Sequence, residues 1–212
     1  MVHGKSVPVI MDLHFGAPDV RIIADETAWQ GHFSVRCLRL QHRLFAGGWS
    51  SELQREVFER GDAVGVLPWD PRSDELVMLE QFRPGAMRGA DSPWMLELVA
   101  GVVEAGESDA VVARREAREE AAIEIQELEP VATFYPSAGA CSEQVRLFLG
   151  KVDSTTAGGI HGCQSEGEDI RVHALPRSQV LQWLGDGKIN NGHTLIALQW
   201  LALHGDSLRE RW

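Results

Sequence analysis

The chain has 212 residues, 44% hydrophobic and 24% charged, which are ordinary globular proportions and exclude wholesale disorder. Its length suits one domain with a small appendage and a sizeable core. The net charge of −11 argues against bulk attraction to nucleic acid, yet leaves room for a phosphorylated substrate where cations intervene. No stretch approaches the ~18 apolar residues of a membrane-spanning helix, and the first residues lack the apolar centre of a signal peptide. Cys37, Cys141 and Cys163 form no C-x-x-C and read as free thiols of a cytoplasmic protein.

In chain order, β segments are expected at Val20 to Ile23, Phe33 to Phe45 and Glu52 to Glu59, with a turn at Ala46 to Ser50. A second block opens near Asp62, with strands at Ala63 to Leu67, Leu76 to Phe82 and Trp94 to Val103. Pro68 to Asp74 reads as a hairpin connection. The pattern turns helical from Ser108, a good N-cap, to about Ile123, with alanines recurring at 113, 117 and 121. Strands follow at Leu128 to Tyr135, Val145 to Val152 and Ile170 to Ala174. Gly158 to Gly167 is a glycine-punctuated loop, and helices close the chain at Arg177 to Leu184 and His193 to His204. The sum is a mixed α and β domain behind an N-terminal β arm.

Chemistry concentrates on the first helix. Glu116, Glu119 and Glu120 stand at i, i+3 and i+4 and share one helical face, where like charges oppose the helix by a few tenths of a kcal/mol per pair. Two readings stay open on spacing alone. The acids can pair with Arg114, Arg115 and Arg118 on a solvated face, or they can gather divalent cations.

The larger pattern resembles the Nudix box, G-x5-E-x7-R-E-U-x-E-E-x-G-U with U aliphatic. Gly101, Glu107, Arg115, Glu116, Glu119, Glu120 and Ile123 fall in place, with Ala117 at the first U and Ala122 where the second Gly is expected. The likeness continues through the arm, Arg55 to Gly61, Glu80-Gln81-Phe82-Arg83 and Glu166-Gly167-Glu168-Asp169, so that the whole chain resembles the ADP-ribose pyrophosphatases of that superfamily. It implies an α+β Nudix fold, an α/β/α sandwich around a mixed sheet, over residues 58–212. Residues 1–57 would form an antiparallel β arm exchanged within a homodimer.

Carried over by position, the metal ligands are the Ala100 carbonyl and the carboxylates of Glu116, Glu120 and Glu168, for two or three Mg²⁺ ions, with Mn²⁺ as a substitute. Glu166 orients or deprotonates the attacking water, and Glu119 is the fallback base. Arg55, Glu56, Arg83, Ser137 and Glu143 hold ADP-ribose, and His32 stands where an aromatic usually stacks adenine. Imidazole can stack as well. Ser137-Ala138-Gly139 departs from the Ser-Pro-Gly of related enzymes. Arg115 is expected to pair with Glu107 or another acid of the box. The expected activity is metal-dependent hydrolysis of ADP-ribose to AMP and ribose 5-phosphate, without nucleic-acid or membrane partners. Alternatives are an ADP-sugar, a dinucleoside polyphosphate or NADH as substrate, or a non-catalytic module that senses ADP-ribose.

Overall fold

The computed structural model describes residues 14–89, 92–163, 165 and 167–212. The chain divides into two compact units, one running to Arg60 and including Gly139–Cys141, the other holding Gly61–Ala138 and Ser142–Trp212.

The first unit is a three-stranded antiparallel sheet in the order β1 (Val20–Gln30), β2 (Ser34–His42), β3 (Leu53–Glu59). β1 runs well past Ile23. Register shifts at Ile22/Ala24 and Thr27/Trp29 and a cross-strand ion pair from Arg36 to Asp25 keep its polar half on the ladder. Trp49 is covered by two guanidiniums, Arg21 at 3.6 Å and Arg43 at 4.4 Å from the ring centroid. Phe33 packs edge-on against Phe58, and the Phe58 N–H donates to the Ala140 carbonyl at 2.8 Å.

In the second unit, β4 (Ala63–Asp70) and β5 (Glu75–Phe82) anchor a mixed sheet completed by β6 (Trp94–Glu97), β7 (Val99–Val102), β8 (Glu127–Phe134), β9 (Val145–Lys151), β10 (Gly159–His161) and β11 (Ile170–Pro176). Among the described residues the order is β10-β11-β5-β4-β9-β8, with β6 beside β5 and β7 beside β4. The run expected as one strand from 94 to 103 is two short strands, because β4 and β5 pair only at Trp69↔Leu76 and Asp70↔Glu75 and then part. Pro68 lies within β4 rather than in the connection. It falls between the residues that face β7 and those that face β5, where its missing N–H breaks no ladder bond on that side.

Alternation along β4 and β5 sorts two cores. Leu67, Trp69, Leu76 and Met78 face α2 (Arg177–Gly185) and α3 (Gly192–Arg209) together with Val180, Leu198 and Leu201. Val64, Val66, Val77 and Leu79 face α1 (Asp109–Ala121) with Val112, Ala113, Ala117 and Ala121. Helices on both faces of a mixed sheet make the α/β/α sandwich. Among the described residues no helix is long and apolar enough to cross a membrane.

α1 stops two residues short of the expected Ile123. Ala122 takes the left-handed conformation (φ 53°, ψ 35°) that the expected Gly would adopt without steric cost. Its N–H donates to the Ala117 and Arg118 carbonyls, and the reversal delivers Ile123, 2% exposed, into the α1 core. The alanine methyl in that conformation costs about 1–2 kcal/mol. Ala122→Gly should therefore raise the thermal unfolding midpoint by about 2–4 °C. A lower midpoint would show that the alanine conformation is not strained.

Candidate active site

The site begins with how closely α1 approaches the sheet. Ala113, Ala117 and Ala121, at successive i+4 positions and all buried, form the surface that meets β4, β5 and β7. Ser108 occupies the N-cap position without a side-chain cap bond, while Asp109 in the first turn accepts from Arg146 Nε at 2.7 Å. The small contact face lets the long acids of α1 reach strand backbone. The Ala100 N–H donates to Glu120 Oε2 at 3.0 Å, and Glu120 is only 3% exposed. Gly101 is the other half of the fit: a Cβ there would lie 1.7 Å from Glu116 Oε1. The glycine that opens the box thus leaves the hollow into which Glu116 folds.

Electrostatics follow from this placement. Burial pushes the Glu120 carboxyl up to about 8. The charges of Glu116 and Glu168 add to that, while the Ala100 N–H and the Arg83 charge oppose it. Glu116 is raised too, first by burial, against the pull of Arg115, and further by the charges of Glu119 and Glu168. Arg115 binds the acids together. Its Nε and Nη2 donate to the two oxygens of Glu107 at 3.2 and 3.1 Å, and its Nη1 donates to Glu116 Oε1 at 2.7 Å and Glu119 Oε2 at 3.1 Å. Charge-assisted bonds to Glu107 raise the affinity of Arg115 for its proton.

Glu168 is fixed by a local loop. The Cys163 N–H donates to its carboxylate at 2.9 Å, and its own N–H donates to the Cys163 carbonyl at 3.2 Å. Gly162 (φ 103°) permits this return, since a Cβ there would lie 2.7 Å from the Glu168 Cβ. Glu166 lies outside the described residues.

Arg83 enters from the end of β5. Its Nε donates to Glu97 Oε2 at 2.9 Å, and its positive charge reaches Glu120. Glu119 is half-exposed on α1, Glu143 is buried just ahead of β9, and Ser137 is exposed in the loop after β8. In the first unit, His32 is exposed and meets Phe33 edge-on at 4.5 Å. Arg55 and Glu56 are exposed on β3, with Arg55 Nη1 donating to the Gln54 carbonyl at 2.7 Å.

The charges of Glu119 and Glu168 bear on Glu116, and those of Glu116, Glu168 and Arg83 bear on Glu120, which brings these five residues into one part of the second unit. Among the described residues, no three His, Cys, Asp or Glu side chains form a closed metal cage. The donors still suit a hard divalent cation. Two carboxylates with raised proton affinity and a third within electrostatic reach offer oxygen ligands short of positive charge.

Two buried polar side chains of the second unit escape a reading of the sequence alone. Glu97, 3% exposed, interrupts the apolar run Trp94 to Val99, and that interruption is its one sequence signal. Gln81, 7% exposed on β5, has a buried Oε1 without a hydrogen-bond partner among the described residues.

The NUDIX domain family matches residues 59–203. The chain is 49% identical over 205 residues to the ADP-ribose pyrophosphatase of Escherichia coli (strain K12), covering 97% of this chain and 98% of that protein. It is 42% identical over 202 residues to the ADP-ribose pyrophosphatase of Haemophilus influenzae, covering 94% and 93%. At 29% identity over 192 residues it also matches a GDP-mannose pyrophosphatase of Klebsiella pneumoniae, covering 88% and 93%. A solved ADP compounds hydrolase shares the fold with a TM-score of 0.65 at 20% identity, covering 88% of this chain and 96% of that one. With the box seated on its helix and the family matched across both faces of the sheet, the chain belongs to the NUDIX family of pyrophosphohydrolases.

Proposed function

We propose that the chain hydrolyses the pyrophosphate bond of ADP-ribose to AMP and ribose 5-phosphate, using two or three magnesium ions, with manganese as a substitute. The observation that carries this reading is the seating of the Glu116 and Glu120 carboxylates against Ala100 and Gly101, in a chain 49% identical to an ADP-ribose pyrophosphatase. The three free cysteines support a reducing, cytoplasmic setting.

In this reading the Ala100 carbonyl, Glu116, Glu120 and Glu168 hold the cations. Bound there, divalent ions supply positive charge to the diphosphate oxygens and acidity to the attacking water. The oxygen of water adds to one phosphorus, and the bond from that phosphorus to the bridging oxygen breaks. The second phosphate leaves with the bridging oxygen. Arg83 binds the diphosphate with the face of its guanidinium fork that Glu97 leaves open. Arg115 offsets the repulsion between Glu116 and Glu119 and holds both carboxylates in place. Glu166, in the glycine-punctuated loop, takes the proton of the water, and Glu119 is the alternative acceptor. Arg55, Glu56, Ser137, Glu143 and His32 complete the binding of the nucleoside and ribose parts.

The exchanged-arm homodimer belongs to the same proposal. Ile22 and Trp29, more than half exposed on β1, support it as apolar surface that a second copy would cover. Sedimentation at assay concentration tests it, and a monomer there removes it.

A panel of ADP-ribose, ADP-glucose, GDP-mannose, diadenosine polyphosphate and NADH, assayed with and without magnesium, tests the activity. ADP-ribose should show the highest kcat/KM. Turnover of no panel member above the metal-free rate would end the enzyme reading. Glu166→Gln should lower kcat by about 10²–10⁴-fold with KM little changed. If that variant is near normal and Glu119→Gln carries the loss, the base is Glu119.

Glu120 gives a pH signature. Its folded pKa, about 8, exceeds the unfolded value, so the metal-free fold holds a proton that the unfolded chain loses near 4.5. Stability from this group is full below about 4.5 and falls as pH rises through about 8. A cation must displace that proton, so apparent magnesium affinity should rise up to tenfold per pH unit and level off near 8. The thermal stabilisation by saturating magnesium is then larger at alkaline than at mildly acidic pH. Glu120→Gln should flatten the dependence. A wild-type affinity that ignores pH would contradict the buried-acid account.

A further inference from the structure

Arg83 is held from behind. Its N–H donates to the Pro93 carbonyl at 2.9 Å, and its carbonyl accepts from the Ala86 N–H at 3.0 Å, so the backbone is fixed on both sides. Among the described residues the side chain is bound once, through Nε to Glu97 Oε2 at 2.9 Å, and is 41% exposed, whereas the Glu97 side chain is 5% exposed. The second oxygen of Glu97 accepts from Asn191 Nδ2 at 2.9 Å. Asn191 caps α3: its Oδ1 accepts from the Thr194 N–H and hydroxyl, both at 3.1 Å. The Thr194 oxygen, fully buried, accepts from the Leu98 N–H at 3.1 Å.

Each polar atom in this chain has one orientation that works. Asn191 must present oxygen to Thr194 and nitrogen to Glu97, because the flipped amide would set donors against donors. Both Glu97 oxygens then meet donors, as a buried carboxylate requires. A guanidinium gripped at Nε has its Nη edge turned outward, and the Nη atoms carry four of its five N–H groups. That edge matches two phosphate oxygens.

We infer that Glu97 and Asn191 are positioning residues that hold the Arg83 fork toward the substrate diphosphate, tying substrate affinity to the N-cap of the terminal helix. This rests on the reading of the site as one that binds a diphosphate. Glu97 acts through Arg83 and neither ligates a cation nor takes a proton.

Equilibrium binding in the presence of magnesium separates these roles, with the α,β-methylene analogue of ADP-ribose and methylenediphosphonate as probes. Glu97→Gln keeps size but cannot accept from both Arg83 and Asn191, and it should weaken both probes by about 10–100-fold. Asn191→Ser keeps a capping oxygen, and so the helix, but loses the donor to Glu97; it should weaken both by about tenfold with an unchanged thermal midpoint. In the Arg83→Ala background, either change should add less than twofold, because residues that act through one partner are not additive. Full additivity, or single variants that bind within twofold of the wild type, overturns the inference, as does a wild type that binds neither probe. If the wild type binds only the bare diphosphonate and the variants still weaken it, the positioning role stands and the ADP-ribose reading fails.

Discussion

Contact between the acidic face of α1 and the backbone of β7 is the constraint around which the second unit is arranged. Three neighbouring acids on one face oppose the helix, Arg115 offsets only part of that repulsion, and the burial of Glu120 adds to the cost. The opposing force is apolar. Val112 and the three buried alanines close on Val64, Val66, Leu79 and Val99, and the alanines let the axis come near enough for Glu120 to accept the Ala100 N–H. Bulkier residues at 113 or 117 would hold the helix off and leave the acids in solvent. Gly101 completes the arrangement, since Glu116 occupies the space its side chain would need.

The net charge of −11 acquires a local meaning from this contact. Arg115, within the box itself, is committed to Glu107, Glu116 and Glu119 through charge-assisted bonds. Arg83 contributes a charge that Glu120 senses, yet burial and the neighbouring acids outweigh it. The remaining negative potential suits divalent cations and would repel a bare diphosphate.

Much of this is legible in the sequence, and the reasons differ by element. The box reads clearly because helical spacing maps directly onto one face, and β4 and β5 read as strands because each carries a nearly unbroken apolar run. The end of α1 is less legible: an alanine at 122 gives no sign of a left-handed turn, and only the Gly expected there points to one. The run from Trp94 to Val103 is apolar throughout apart from Glu97, so nothing local announces that it changes partner at Leu98. Glu97 and Asn191 are 94 residues apart, and no periodicity connects them. Contacts of that range belong to topology, which the local pattern does not encode.

The break at Leu98 also explains why a distant helix is involved in the site. β4 and β5 part after their hairpin end, and β6 and β7 fill the gap as two strands with different partners. A strand that switches partners leaves backbone groups at the switch without a ladder, and such groups must find partners if buried. The Leu98 N–H finds the Thr194 hydroxyl, so the N-terminus of α3 is required at the break on backbone grounds alone. Once there, its cap residue Asn191 is within reach of Glu97, the last residue of β6, and Glu97 is within reach of Arg83 at the end of β5. The same divergence of strands that opens room for the α1 acids at Ala100 and Gly101 thus also brings in the helix cap that orients the arginine opposite them.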